Sequence, residues 1–173
     1  MNNSLKKNLE SSFPEVKVSI PEEKRLVITA EKESVESILR FLKDKSYQHL
    51  ALVSCVDWIE QMEFELVYIL SAYMHTDDEY TDREKTNIIL KTRISREDPE
   101  FYTIIPVFEN AEPYERELHE LFGIHFQGHP RQRHLLLERD YPIPPFRKDF
   151  DTREYVQKVF DSIPFVEDRA GEK

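Results

Sequence analysis

Cysteine is nearly missing from this chain: Cys55 is the single one among 173 residues. A lone thiol closes no internal disulfide, and it cannot supply the several thiolates that an iron–sulfur cluster or a structural zinc site requires. Its setting, LALVSCVDW, is apolar and reads as a buried structural thiol rather than a reactive one. Glycine is scarce too. With three in the chain, neither G-x-G-x-x-G nor a phosphate-cradling P-loop can be assembled, and no serine stands in a G-x-S-x-G turn. Positive charge is in deficit: 24 Lys and Arg against 34 Asp and Glu leave a net charge of −10, opposite to the basic footprint that nucleic acid demands. No apolar run approaches the roughly 20 residues of a membrane span. The opening MNNSLKKNLE has no signal-peptide hydrophobic stretch, so the sequence reads as that of a soluble intracellular protein.

What is present suits one ordinary domain, since 39% hydrophobic residues give a real core beneath a heavily charged surface. Residues 3–12 suggest a short polar helix ended before Pro14. Residues 16–20 and 26–30 read as two short strands about a turn at 21–24. From Ser34, the spacing of Val35, Ile38, Leu39 and Leu42 predicts a helix with one buried stripe. Residues 49–58 and 64–73 are near-continuous apolar runs joined by the polar turn 60–63, the pattern of strands covered on both faces or placed centrally. Residues 87–94 alternate, with Ile88, Leu90 and Ile94 opposite Asn87, Lys91 and Arg93. The link MHTDDEYTDREKT reads as a solvated acidic hairpin tip. A helix over 113–122 is capped by Asn110 or Glu112 and ended by Gly123. Beyond it the chain reads as extended and Pro-rich, with a short helix around 152–160. The class is therefore α+β: a mixed sheet of about five strands, two or three packing helices, and an extended Pro-rich C-terminal arm. Residues 1–110 form the core, and 111–173 the motif helix plus docking arm of the same unit.

The stretch 114–150, YERELHELFGIHFQGHPRQRHLLLERDYPIPPFRKDF, is the most informative. It combines an amphipathic helix, Gly123 and Gly128, four prolines from Pro130 to Pro145, and dense fixed charge. Charge also reverses nearby. Residues 129–153 hold six Lys/Arg and four Asp/Glu, a net +2 that leaves −12 elsewhere, and suit an acidic or carbonyl-rich partner surface. On the helix, Tyr114, Leu118, Leu121 and Phe122 have core spacing. Glu115, Arg116, Glu117 and Glu120 allow two readings: a solvated face laced by i, i+4 pairs, or charges desolvated against the Arg-rich tail or a partner. His119, His125, His129 and His134 cluster in sequence, which admits a metal-dependent hydrolase as an alternative. However, HELFG has Gly123 where the zincin pattern needs its second His. His129, between Gly128 and Pro130, reads as a turn residue bonded to nearby backbone.

Tyr114, Glu115, Arg116 and Glu117, then Leu121, Phe122, Gly123 and Ile124, Phe126, Gly128, His129, Pro130, Arg133, Leu136 and Leu137, and finally Arg147, Lys148, Asp149 and Phe150 resemble the signature of the thirty-kilodalton subunit of respiratory complex I (NADH:quinone oxidoreductase). The module also occurs in membrane-bound energy-converting hydrogenases. The chain departs from the pattern at Glu120, Arg131, Gln132, His134, Ile143, Pro144 and Pro145. The resemblance implies a peripheral, non-catalytic subunit of a complex I-like oxidoreductase on the cytoplasmic membrane face, without a cofactor of its own. Its implied partners are the large quinone-site or hydrogenase-like subunit and the small iron–sulfur subunit, which would carry the iron–sulfur clusters and the quinone or nickel–iron centre. The residues implied to dock are Glu115, Arg116, Glu117, Phe122, Gly123, Phe126, Gly128, His129, Pro130, Arg133, Arg147, Lys148 and Asp149. A subunit of a hydrogenase-type ion-pumping complex and a freestanding adaptor are the variants of this reading.

Overall fold

The computed structural model describes residues 2–72, 86–139 and 141–159. A first helix, α1 (Asn2–Ser12), leads into the hairpin β1 (Lys17–Glu22) and β2 (Arg25–Thr29). Helix α2 (Val35–Asp44) buries Val35, Ile38, Leu39 and Leu42, the stripe its spacing predicts. Strands β3 (His49–Trp58), β4 (Glu63–Ser71) and β5 (Asn87–Ser95) then form an antiparallel meander. Strand β5 closes the sheet by pairing in parallel with β2, which gives the order β1-β2-β5-β4-β3. The fold is thus α+β with a mixed five-stranded sheet.

The structure corrects one expectation about the strands. The apolar run of β3 does not mark a strand covered on both faces or a central one: β3 is the sheet's edge, and β5 is central. Burial alternates along β3, with Val53, Cys55 and Asp57 inward and Leu52, Val56 and Trp58 exposed on the other face. Residues 73–85, which hold the last residue of the second run and nearly all of the acidic link, lie outside the described residues, as does Phe160.

A second, two-stranded parallel sheet was not legible in the sequence: β6 (Glu100–Tyr102) pairs with β7 (His125–Gln127) across the intervening helix α3 (Ala111–Phe122). Helix α3 begins at Ala111, so Pro113 sits in its first turn. Asn110 stands at the cap position, but its amide donates to Leu50 O (2.8 Å) instead of bonding the helix. Gly123 ends α3 in the left-handed region at φ +76, where a side chain is disfavoured. One apolar cluster runs from Leu5 and Leu9 of α1 through the sheet to Leu118, Leu121, Phe122, Ile124 and Phe126. The remaining helix is α4 (Thr152–Val159), and the described residues between β7 and α4 are turns and irregular chain. No helix among the described residues is long and apolar enough to cross a membrane.

Candidate partner-docking site

Helix α3 is the hub of the site, and its polar residues are mostly not solvated. Glu115 is fully enclosed. Its carboxylate accepts hydrogen bonds from Thr103 Oγ1 (2.6 Å) and Ile104 N–H (2.7 Å), which ties the turn after β6 to the helix. Burial pushes this carboxyl up to about 7, against those two hydrogen bonds, which pull it down. Arg116, also buried, donates from Nε to Arg133 O (3.0 Å) and from Nη2 to His134 O (2.7 Å), and pairs with Glu112 at 3.5 Å. One turn on, the Glu120 carboxylate accepts the N–H groups of Leu135 (2.8 Å), Leu136 (2.8 Å) and Leu137 (3.4 Å). A guanidinium on the carbonyls and a carboxylate on the amides thus clamp residues 133–137 from both ends of the peptide dipole. The solvated-face reading fails for Glu115, Arg116 and Glu120. The expected i, i+4 pair of Arg116 with Glu120 gives way to the tail, since charged groups bond buried peptides more strongly than each other at a wet surface.

A second latch lies at the far end of the tail, where the sheet supplies the charges. Asp57, inward-facing on β3, and Arg96, just past β5, form a bidentate pair at 2.8 and 3.2 Å, both nearly closed to solvent. Arg96 also reaches Asp149 (2.6 Å), while Asp57 Oδ2 accepts Lys148 N–H (2.9 Å). Burial pushes the Asp57 carboxyl up, but Arg96 and the Lys148 amide outweigh it and hold the group below its ordinary range. Arg147 lies over the Phe64 ring at 5.2 Å and donates from Nε to Phe122 O (2.7 Å), a carbonyl that the end of α3 leaves without a partner inside the helix. Phe146 N–H bonds Leu121 O (3.0 Å). Gly123 is where this return crosses the helix end: a Cβ there would stand 3.0 Å from Pro144 Cγ and 3.1 Å from Arg147 Nη2.

The turn that leads into the first latch behaves as its sequence suggests. Gly128 has φ +83. His129 Nε2 lies 3.3 Å from Glu112 O, and its Nδ1 accepts Arg131 N–H (3.0 Å), which fixes the neutral tautomer with the proton on Nε2. His119 Nδ1 donates to Ile124 O (2.9 Å). Among the described residues no three or more His, Cys, Asp or Glu side chains are grouped to hold a metal.

The thirteen candidate residues therefore separate by position. Glu115, Arg116, Phe122 and Phe126 are buried within the chain, and Gly123, Gly128, His129 and Pro130 shape its backbone. Arg133, Lys148 and Asp149 are exposed, and Arg147 and Glu117 half-buried. The Glu117 carboxylate bonds no described residue. The clamped tail turns Leu135, Leu136, Ile143 and Phe146 outward, Leu136 and Phe146 with 61% and 59% of their surface exposed. Sequence reasoning missed Asp57, Arg96 and the role of Glu120. The available signal was a lone carboxylate in the apolar strand LALVSCVDW, in phase with inward Val53 and Cys55.

The family described as the respiratory-chain NADH dehydrogenase 30 Kd subunit matches residues 28–156. The chain belongs to that family. It is 32% identical to a subunit of the F(420)H(2) dehydrogenase of Methanosarcina mazei, over 83% of this chain and 88% of the relative. It is 33% identical to a subunit of the NADH-quinone oxidoreductase of Rhodobacter capsulatus, over 80% of this chain and 66% of the relative. Among solved structures, it superposes with a TM-score of 0.79 on a chain of the membrane-bound sulfane sulfur reductase, an archaeal respiratory membrane complex. That match is 26% identical and covers 96% of each chain. A trypsin-resistant fragment of Nqo5 shares the fold, with a TM-score of 0.61 at 23% identity over 76% of this chain and 99% of the fragment. The family is one of subunits of complex I-like respiratory complexes.

Proposed function

We propose that this chain is a non-catalytic structural subunit of the peripheral arm of a complex I-like membrane oxidoreductase, on the cytoplasmic face. In this reading residues 128–151 dock to the large quinone-site or hydrogenase-like subunit, beside the small iron–sulfur subunit. Electrons travel through iron–sulfur clusters and a quinone or nickel–iron centre held by those partners. One observation carries the reading: the charges of α3 are engaged by the chain's own backbone, so the tail is fixed in advance with Leu135, Leu136, Ile143 and Phe146 outward. A preordered surface loses less entropy on association. Arg133, Glu117, Lys148 and Asp149 surround it as polar contacts, while Glu115, Arg116, Phe122 and Phe126 act by shaping it.

The test is the double variant Leu136→Asp, Phe146→Asp in the tagged native assembly. The isolated chain should keep its melting behaviour, and the variant should lose the partner subunits in pull-downs. Recovery of those subunits at wild-type yield refutes the reading. Reversing Arg147 is a poorer probe because its side chain also caps Phe122 O.

An assembly other than an NADH enzyme is the favoured variant. The departures from the family pattern at Arg131, Gln132 and His134 and at Ile143, Pro144 and Pro145 fall on the proposed contact surface and support this variant. Mass spectrometry of the purified native complex tests this. A flavin-binding NADH module among its subunits refutes the variant.

A further inference from the structure

Between helix α3 and the clamped tail lies a cavity of about 330 Å³. His119 and Glu120 line it from the helix, Gln132, Arg133 and His134 from the start of the tail, and Tyr141 from its return. Arg133 and His134 are exposed and stand at its mouth. A second hollow of about 300 Å³ shares Leu137 and Tyr141 with it and includes the outward Leu136. The cavity thus adjoins the apolar patch of the tail, and it differs from that patch in being polar.

The groups held in place around this cavity are acceptors. His119 Nδ1 donates to Ile124 O (2.9 Å), which leaves the ring's Nε2 as an acceptor that no described residue engages. The Gln132 amide is oriented by its bond to Phe126 O, so its Oε1 is a second acceptor, closed to solvent and without a partner among the described residues. Tyr141 Oη bonds no described residue. Glu120 adds a full negative charge. Three amides stabilise its carboxylate without cancelling that charge, no described Lys or Arg pairs with it, and its ion-pair contact is His134 Nδ1 at 3.5 Å. Arg133 is the one permanent cation among the lining residues, and its exposed guanidinium can turn outward, whereas Glu120 and His119 are anchored by their bonds. A carboxylate entering here would meet a like charge that cannot move aside, and a cation would meet one that can.

We propose that this cavity is a socket for one basic side chain, a Lys or Arg, of the subunit on which the tail docks. The N–H groups of that side chain bond His119 Nε2 and Tyr141 Oη, and Glu120 balances its charge. It is desolvated beside the apolar contact of Leu136, where a charged pair contributes most to holding two chains together. Because residues 129–153 are net positive, the facing surface is acidic apart from this one residue. The polar lining does not suit an apolar small molecule. The proposal rests on the reading that the tail docks to a partner, and it names the chemistry of that contact.

Structure determination of the purified native complex tests it directly. A Lys or Arg nitrogen of a partner should lie within hydrogen-bond distance of His119 Nε2 or Tyr141 Oη. Two variants add an energetic measure. His134→Lys sets this chain's own ammonium beside Glu120 and should make the tagged chain leave the complex at least about tenfold faster. Tyr141→Phe removes only the hydroxyl and should speed release about tenfold. Neither should lower the melting temperature of the isolated chain, and Thr29→Lys, the same added charge on the sheet, should leave release unchanged. Slower release of the His134→Lys chain, or a partner carboxylate in the cavity, overturns the proposal in favour of an acidic occupant. Water alone in the cavity overturns it while docking through Leu136 and Phe146 stands. The structure of the wild-type complex decides even where a variant fails to fold. Recovery of the protein without partner subunits overturns both this proposal and the reading beneath it.

Discussion

Replacing Glu120 by Gln tests the clamp on the tail directly. The carboxylate takes three backbone amides, two of them at 2.8 Å, and is almost sealed from water. The amide substitute keeps one acceptor oxygen and turns an NH₂ group toward an N–H, so at least one charge-assisted bond is lost and a donor is left facing a donor. Hydrogen bonds to charged groups contribute about 1.5–3 kcal/mol each, so the loss comes to about 3 kcal/mol. That energy holds residues 133–137, not the sheet, and it should appear as local opening. If the opened segment is cut more slowly than it recloses, tryptic cleavage after the exposed Arg131 and Arg133 rises about 100-fold. The melting of the sheet should move much less. Glu117→Gln is the matched control: it makes the same charge change on the same helix, but its carboxylate bonds no described residue, so cleavage of the isolated chain should not change. Cleavage of the Glu120→Gln chain within about twofold of wild type refutes the clamp.

Other groups of the site give four further outcomes. Glu115, held up near 7 against an ordinary 4.5, binds a proton in the folded chain that the unfolded chain has already released. Stability measured by denaturant titration should therefore fall by about 3 kcal/mol as pH rises from 4.5 to 7 and stay level above, and Glu115→Gln should remove that slope. Asp57 and Asp149 have the opposite sign: both are held below their ordinary 3.8, so their contribution is intact above that value and lost as pH falls beneath it. Arg96→Met strands the buried Asp57 and should cost about 3–5 kcal/mol in chemical denaturation, while adding Asp57→Asn should restore part of it; a double variant less stable than the single would refute the pairing. Gly123→Ala forces a side chain into the left-handed region and against Pro144, for a loss of about 1–2 kcal/mol in the same titration from the backbone alone.

Elements with a strong period were readable. The stripe of α2, the alternation of β5 and the Gly123 stop of α3 each depend on neighbours in sequence, and the structure has them where the pattern puts them. Strand β7 was not readable, because three residues before a glycine turn carry no period and its partner β6 lies 25 residues earlier in register. The edge position of β3 was misread because an apolar run does not report how many neighbours a strand has: Leu52, Val56 and Trp58 belong to the run and are exposed. The tail clamp was half legible. The family signature marked Glu115 and Arg116, but in a chain with 34 acidic residues no spacing rule separates a carboxylate that faces water from one that holds three amides. The Asp57–Arg96 pair spans 39 positions, and only the fold brings it together.

Both latches use long, costly charged side chains where apolar contacts could have fixed a tail at less cost in desolvation, and their geometry gives a reason. A tail held through its backbone leaves its side chains uncommitted. Arg116 and Glu120 bond the peptide groups of residues 133–137, and Asp57 bonds the peptide N–H of Lys148. The outward faces of Leu135, Leu136 and Lys148 are therefore left to meet a partner without disturbing the tail's path. This division predicts that Leu135→Ser with Leu136→Ser leaves tryptic resistance of the isolated chain unchanged while altering recovery of its partners. Loss of resistance in that double variant would show that the side chains, and not the backbone bonds, hold the tail.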